Sequence, residues 1–192
     1  MSDIKHLLVI RLSSMGDVAM SVPVLAAFSN THPGIKLTVL TKKQFAPLFR
    51  DLKMVTVLLA DFTTTHKGVL GLYRLSKQIR NAGIDAVADL HNVLRTRVLK
   101  LFLFWVNFAQ IDKGRTEKKA LVTGEIATPL RSTPQRYADV FRELGFEFDI
   151  DNTSFPVAKQ LDATVIREIG AFSKPTIGIA PFAAHASKTY PL

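Results

Sequence analysis

Seven residues near the N-terminus, Arg11-Leu12-Ser13-Ser14-Met15-Gly16-Asp17, bring a cation, two hydroxyls, a glycine and a carboxylate into one short connection. The hydropathy pattern predicts a strand before them and a helix after them, so they form a strand-to-helix loop. In a parallel sheet that loop lies at the carboxyl edge, where α/β folds bind ligands. Gly16 suits a tight turn or the close approach of a ligand, and the unpaired N–H groups of the helix start favour an anion. Asp17 has two roles open to it. It can serve as an N-cap or first-turn acid that complements the helix dipole, or as a general base aimed into a cleft.

These groups need elements to hold them. Short β-rich apolar runs alternate with helical patterns through the first two thirds of the chain, which predicts parallel strands joined by crossover helices. Strands are expected at His6–Leu12, Lys36–Thr41, Val55–Ala60, Ala86–Leu90 and Asn107–Asp112. Helices are expected around Val18–Asn30, Gln44–Arg50, Val69–Asn81, Val93–Phe104, Gln135–Leu144 and Ala163–Phe172. His32-Pro33-Gly34 and Asn81-Ala82-Gly83 punctuate two helix ends. The fold class is therefore α/β, a doubly wound Rossmann-like parallel sheet with helices on both faces. Towards the C-terminus the pattern restarts. Ser173-Lys174-Pro175 breaks a helix, Thr176–Ala180 reads as a fresh buried strand, and a polar loop from Pro181 to Lys188 leads to Thr189-Tyr190-Pro191-Leu192. Residues 1–172 are expected to form one Rossmann-like domain, and residues 173–192 the first strand and loop of a second that the chain does not complete.

Further polar groups share the sheet edge. Asp89, His91, Asn92 and Arg95 follow the fourth strand, and each is open to a ligand contact or a structural role. Lys113 and Arg115, with Lys118 and Lys119, follow the fifth strand. Arginine and lysine suit carboxylate and phosphate, whereas a solvated helix face is the alternative and is preferred for Lys118 and Lys119. Asp149-Ile150-Asp151 has no companion ligands, so no metal is expected, nor any cofactor. Gly68-Val69-Leu70-Gly71 is too short for a phosphate fingerprint and reads as a loop entering a helix. The apolar stretch Val98–Ala109 falls short of the roughly 20 residues that span a bilayer. It reads as a buried helix running into a strand, and for the apolar face near Val98–Val106, flanked by Arg95, Arg97 and Lys100, a crossover helix covering the sheet is preferred over contact with a membrane surface.

Composition sets the outer bounds. With 47% hydrophobic and 21% charged residues over 192 positions, the chain can bury a full core, which excludes wholesale disorder. Without cysteine, disulfides and thiolate metal sites are impossible. A net charge of +9 favours anionic partners without choosing among nucleotide phosphates, acidic sugars, lipids and nucleic acid. The N-terminus has no basic leader or cleavage site, so a cytoplasmic chain is expected.

Leu8–Val18 with Ser21-Val22-Pro23-Val24-Leu25 resembles the opening of the family nine glycosyltransferases, the lipopolysaccharide heptosyltransferases. Asp89-Leu90-His91-Asn92 with Arg95, Tyr137-Ala138-Asp139-Val140-Phe141 with Leu144-Gly145, and Lys188-Thr189-Tyr190-Pro191 resemble later segments of that family in the same order. The resemblance runs through essentially the whole chain. It implies the N-terminal half of a GT-B fold, with the acceptor on the first domain and a nucleotide-sugar donor, ADP-heptose, mainly on the second. By the same resemblance Asp17 is the base that inverts the sugar. Gly16, Ser187 and Lys188 meet the donor, with Lys188 on its diphosphate. Arg11, Ser13, Ser14, His91, Asn92, Arg95, Lys113 and Arg115 meet an anionic lipopolysaccharide-core acceptor, which also gives a peripheral contact with the inner membrane a purpose. The chain departs from the pattern at Ala183 and Ala184, where hydroxyl residues are usual, which leaves the phosphate contacts and the donor sugar open. The rival readings are a non-catalytic nucleotide-sugar-binding module and a basic nucleic-acid-binding domain, for which no aromatic-basic recognition motif is present.

Overall fold

His6–Ile10 (β1) reads His-Leu-Leu-Val-Ile and is buried at every position, as the middle strand of a sheet covered on both faces must be. It pairs in parallel with Lys36–Thr41 (β2) on one side and Ala86–Asp89 (β4) on the other, in the registers Ile10↔Leu40 and Ile10↔Asp89. Val55–Leu59 (β3) and Asn107–Gln110 (β5) complete a five-stranded parallel sheet in the order β3-β2-β1-β4-β5. The order reverses between β1 and β4, and that switch point is where such sheets open a crevice at their carboxyl ends. The α/β, Rossmann-like fold class expected from the sequence is the one found.

The computed structural model describes residues 4–150, 162–170, 177–179, 183 and 189. By its contacts the chain divides into two compact units, Met1–Pro156 and Val157–Leu192. In the first unit, alternation along β1 sends Leu7 and Val9 to one face and Leu8 and Ile10 to the other, and each face has its own core. The first core is closed by Ser21–Thr31 (α2) and Thr133–Glu143 (α6), the second by Gly68–Asn81 (α3) and Leu94–Phe102 (α4). Leu75 and Ile79 of α3 and Leu99 of α4 lie on the sheet side with Leu103, fully or almost fully buried.

The elements depart from expectation in places that have local causes. The single helix expected over Val18–Asn30 is two: Met15–Ala19 (α1) and then α2, breaking at Met20. Pro23 has no N–H to give the Ala19 carbonyl, and the Ser21 hydroxyl instead donates to the Val18 carbonyl at 2.6 Å. The helix expected at Gln44–Arg50 is a 3₁₀ segment, Lys43–Phe49, around Pro47. Helix α6 starts two residues earlier than expected, because Ser132 and Gln135 form a capping box and Pro134 is tolerated in a first turn. Arg115–Thr123 (α5) was expected only as an alternative solvated face, and none of its residues is buried.

In the second unit Ala163–Ile169 (α7) is capped by Asp162, whose carboxylate accepts from the Thr164 N–H at 2.8 Å, and Gly170 is its C-cap; the expected end at Phe172 lies outside the described residues. The fresh buried strand expected over Thr176–Ala180 is not seen in its described part: residues 177–179 form no strand, and Ile177 and Ile179 are exposed. An extended segment needs a ladder partner, and none is present among the described residues of that unit.

Candidate active site

Past Ile10 the chain leaves β1, and it turns into α1 with Ser14 at the cap position. Asp17, in the first turn, folds back: its Oδ2 accepts from the Ser14 N–H at 3.2 Å and the Ser14 hydroxyl at 3.0 Å, and it pairs with Arg11 Nη2 at 2.5 Å. All three contacts converge on one oxygen. Partial burial pushes the Asp17 carboxyl up, but the Ser14 hydrogen bonds and the Arg11 charge outweigh it and hold the group below the usual carboxylate range. Asp17 therefore stays ionised at neutral pH. The same carboxylate thus braces the start of the helix and lines a cavity of about 340 Å³.

Arg11 is buried, and its Nη1 donates to the Leu90 carbonyl at the end of β4. The Tyr137 ring lies 5.6 Å from its Cζ, and the Tyr137 hydroxyl donates to the Asp17 carbonyl at 3.2 Å. Burial drives that phenol up to about 12. The β4 exit is organised by Asp89, whose Oδ1 accepts from the His91 and Asn92 N–H groups at 2.9 and 3.0 Å and whose Oδ2 accepts from the Gln110 amide at 2.9 Å. His91 lies on the cavity wall. Burial first, then the nearby Arg11, lowers its imidazole to about 4 although Asp89 opposes them, so it is neutral at pH 7. Its Nδ1 is buried without a partner among the described residues.

The His91 shift has a measurable consequence for stability. Between pH 6.5 and about 4 the unfolded chain binds a proton at His91 that the folded chain refuses, so stability rises with pH across that window and falls as the solution is acidified. His91→Gln is expected to flatten the loss by on the order of 2 kcal/mol, read from urea midpoints at either end of the window. His6, also lowered by burial, keeps its own contribution in both proteins. An unchanged pH slope in the variant would contradict the neutral, buried state of His91.

Arg11, Ser13, Ser14, Asp17, His91 and Lys113 line the cavity together, so six of the expected residues converge. Burial, followed by the neighbouring Arg115 charge, lowers the Lys113 ammonium. Lys113 also lines an adjoining cavity with Asn92 and Arg115. There the Asn92 side chain is tied up, donating to the Ile111 carbonyl at 2.9 Å and accepting from Arg97 at 3.1 Å. Arg95 sits apart, 4.2 Å over the Phe62 ring, in a cavity with Lys42, Lys43 and Asp61. Gly16 is in helical backbone with open space where a Cβ would stand, so no tight turn requires glycine there. Ser187 and Lys188, the expected donor contacts, lie outside the described residues, as does Asp151.

Lys118, expected to be solvated, reaches the cavity, and so do Thr133, Arg136 and Tyr137, to which the sequence assigned no role. Arg136 is buried and pairs with Glu117 of α5. Gly114 opens α5 at φ +59°, and a Cβ there would collide with the Arg136 guanidinium, so this turn does require glycine. Tyr137 belongs to a segment the sequence marked only as a helix. Its place under Arg11 becomes visible once α6 is packed.

No model of a protein family matches the chain. Over 97 residues, half of its length, it is 30% identical to the lipopolysaccharide core heptosyltransferase OpsX of Haemophilus influenzae, a match that covers 27% of that protein. Its fold superposes on a family nine glycosyl transferase from Veillonella parvula with a TM-score of 0.69 at 17% identity, covering 97% of this chain and 56% of that one. It also superposes on the E. coli heptosyltransferase WaaC, solved with ADP-2-deoxy-2-fluoro heptose, with a TM-score of 0.53 at 20% identity over 77% of this chain and 50% of that one. The chain thus spans about half the length of these solved proteins, and at such identities they speak for the fold. The chain is thus similar in sequence, over half its length, to one lipopolysaccharide core heptosyltransferase, and it shares its fold with a family nine glycosyl transferase and a heptosyltransferase.

Proposed function

We propose that the protein carrying this chain is an inverting glycosyltransferase that moves heptose from ADP-heptose to a lipopolysaccharide-core acceptor. The observation that carries this reading is the state of Asp17: ionised, anchored through Oδ2, and set on a cavity walled by Arg11, His91 and Lys113. Oδ1 takes none of the anchoring contacts and is the oxygen that receives a proton. An acceptor hydroxyl attacks the anomeric carbon, the bond from that carbon to the diphosphate oxygen breaks, and the hydroxyl proton passes to Asp17. A carboxylate of low basicity suits this order of events, because the hydroxyl becomes strongly acidic only as the new bond forms. The Asp17 charge also offsets the positive charge that develops on the sugar, and Lys113 and Lys118 supply cations for an anionic acceptor.

In this reading residues 1–172 hold the acceptor, and residues 173–192 open the donor domain with Ser187 and Lys188 on the diphosphate. No metal is required. The 192-residue chain alone is expected not to turn over. The test is transfer by the full-length protein from ADP-heptose to a truncated lipopolysaccharide, with the product anomer determined. An inverted heptoside supports the reading; binding of the nucleotide sugar without transfer would make the protein a binding module instead.

A further inference from the structure

The helices that cover the second face of the sheet bury one side and leave an unusual other side. On α3, Leu70 is 74% exposed and Tyr73 is exposed; on and just after α4, Leu101 is 73% and Phe104 82% exposed, with Trp105 beside them. Tyr73 meets Phe102 edge-on at 5.6 Å across the two helices, and Phe104 meets Trp105 at 5.5 Å. Single exposed apolar residues need no explanation, but several large ones on two helices that touch each other do.

Charge identifies what covers it. Helices α3 and α4 contain Arg74, Lys77, Arg80, Arg95, Arg97 and Lys100 and no acid, and residues 62–84 and 90–111 contain none either, although the chain has 16 acids. Arg74, Lys77 and Arg80 have no ion-pair partner among the described residues. Lys77 lies over the Tyr73 ring at 4.8 Å and Arg80 over Trp105 at 4.2 Å, so the cations border the apolar surface directly. A second copy of this face would bring like charges together. Nucleic acid would find charges but no use for the leucines. An anionic bilayer satisfies both halves, with aromatic and leucine side chains entering the headgroup–acyl boundary and lysine and arginine at the phosphate level.

We propose that the α3–α4 face docks this protein peripherally on an anionic phospholipid surface, without crossing it; among the described residues no helix is long and apolar enough to cross a membrane. The inference stands apart from the glycosyltransferase reading, since neither sugar nor acceptor enters it. Flotation of the 192-residue chain with phosphatidylcholine vesicles, with and without about 30% phosphatidylglycerol, tests it directly. Binding is expected only to the anionic vesicles and is expected to weaken as salt is raised. Leu101→Ser with Phe104→Ser, both at exposed positions, is expected to weaken it about tenfold or more with an unchanged circular dichroism spectrum. Lys77→Glu with Arg80→Glu is expected to abolish the preference for anionic lipid. Equal binding to both vesicle types, no binding to either, or binding indifferent to both double variants would overturn the proposal.

Discussion

Asp17→Asn in the full-length protein is expected to lower kcat about 10³-fold, with little change in the acceptor KM, because the proton then has no carboxylate to receive it while the cavity keeps its shape. Asparagine retains an oxygen for the Ser14 hydrogen bonds, so α1 keeps its start. What it loses is the charge that Arg11 faces. Arg11 is buried and held by the Leu90 carbonyl and the Tyr137 ring, so it cannot swing out to water, and the variant should lose about 1 kcal/mol of stability. Comparison with Asp17→Ala separates the two effects: alanine removes the cap as well, and is expected to match asparagine in kcat while melting lower. The pH profile adds a readout that a merely structural role would not move. A carboxyl held below 3.8 is lost as a base only when the pH falls through that lowered value, so the Asp17 limb lies below pH 3.8. A variant with more than a tenth of the parental kcat would remove Asp17 from the chemistry.

The sheet and the loop were legible because both rest on short-range pattern. All five strands and the junction at Ser14–Asp17 follow from apolar runs and their punctuation. The positions of Asn92 and Arg95 were not legible in the same way. Sequence places both after β4 near Asp17, yet the left-handed backbone of Asn92, at φ 42°, sends the chain into α4 and carries Arg95 to Phe62, away from the β1–β4 crevice. Arg136 and Tyr137 are the converse case. They lie some 120 residues from Asp17 in the chain and reach it only through the packing of α6 on α2, a contact between helix faces that no local spacing encodes. The α3–α4 surface falls between these cases. The apolar run Val98–Ala109 reads as a helix passing into a strand, but only the pairing with α3 shows which side of that helix the sheet leaves uncovered.

That dependence on α6 makes Phe141 the second residue of large effect. Phe141 is fully buried, 4.8 Å from the Phe28 ring of α2 and 5.6 Å from Phe148, and Phe28 in turn meets Phe146 and Phe148 edge-on. The chain after α6 is folded back onto this cluster, with Arg142 donating to the Phe148 carbonyl at 2.9 Å and the His32 ring bonded to the Glu147 carbonyl at 2.9 Å. Truncation to alanine leaves a cavity that several surrounding rings cannot collapse to fill, so Phe141→Ala is expected to cost about 3–5 kcal/mol and lower the melting temperature by about 10 °C. Phe141→Leu keeps most of the volume and should cost less than half as much. The same substitution reaches the candidate site. Loosening α6 frees Tyr137 from Asp17 and Arg136 from Glu117, so the His91 and Asp17 environments should change in the alanine variant and stay put in the leucine variant, as NMR titration of His91 would show. A loss below about 1 kcal/mol for alanine would mean that α6 is held by something other than this aromatic cluster, and the link from the core to the cavity would fail with it.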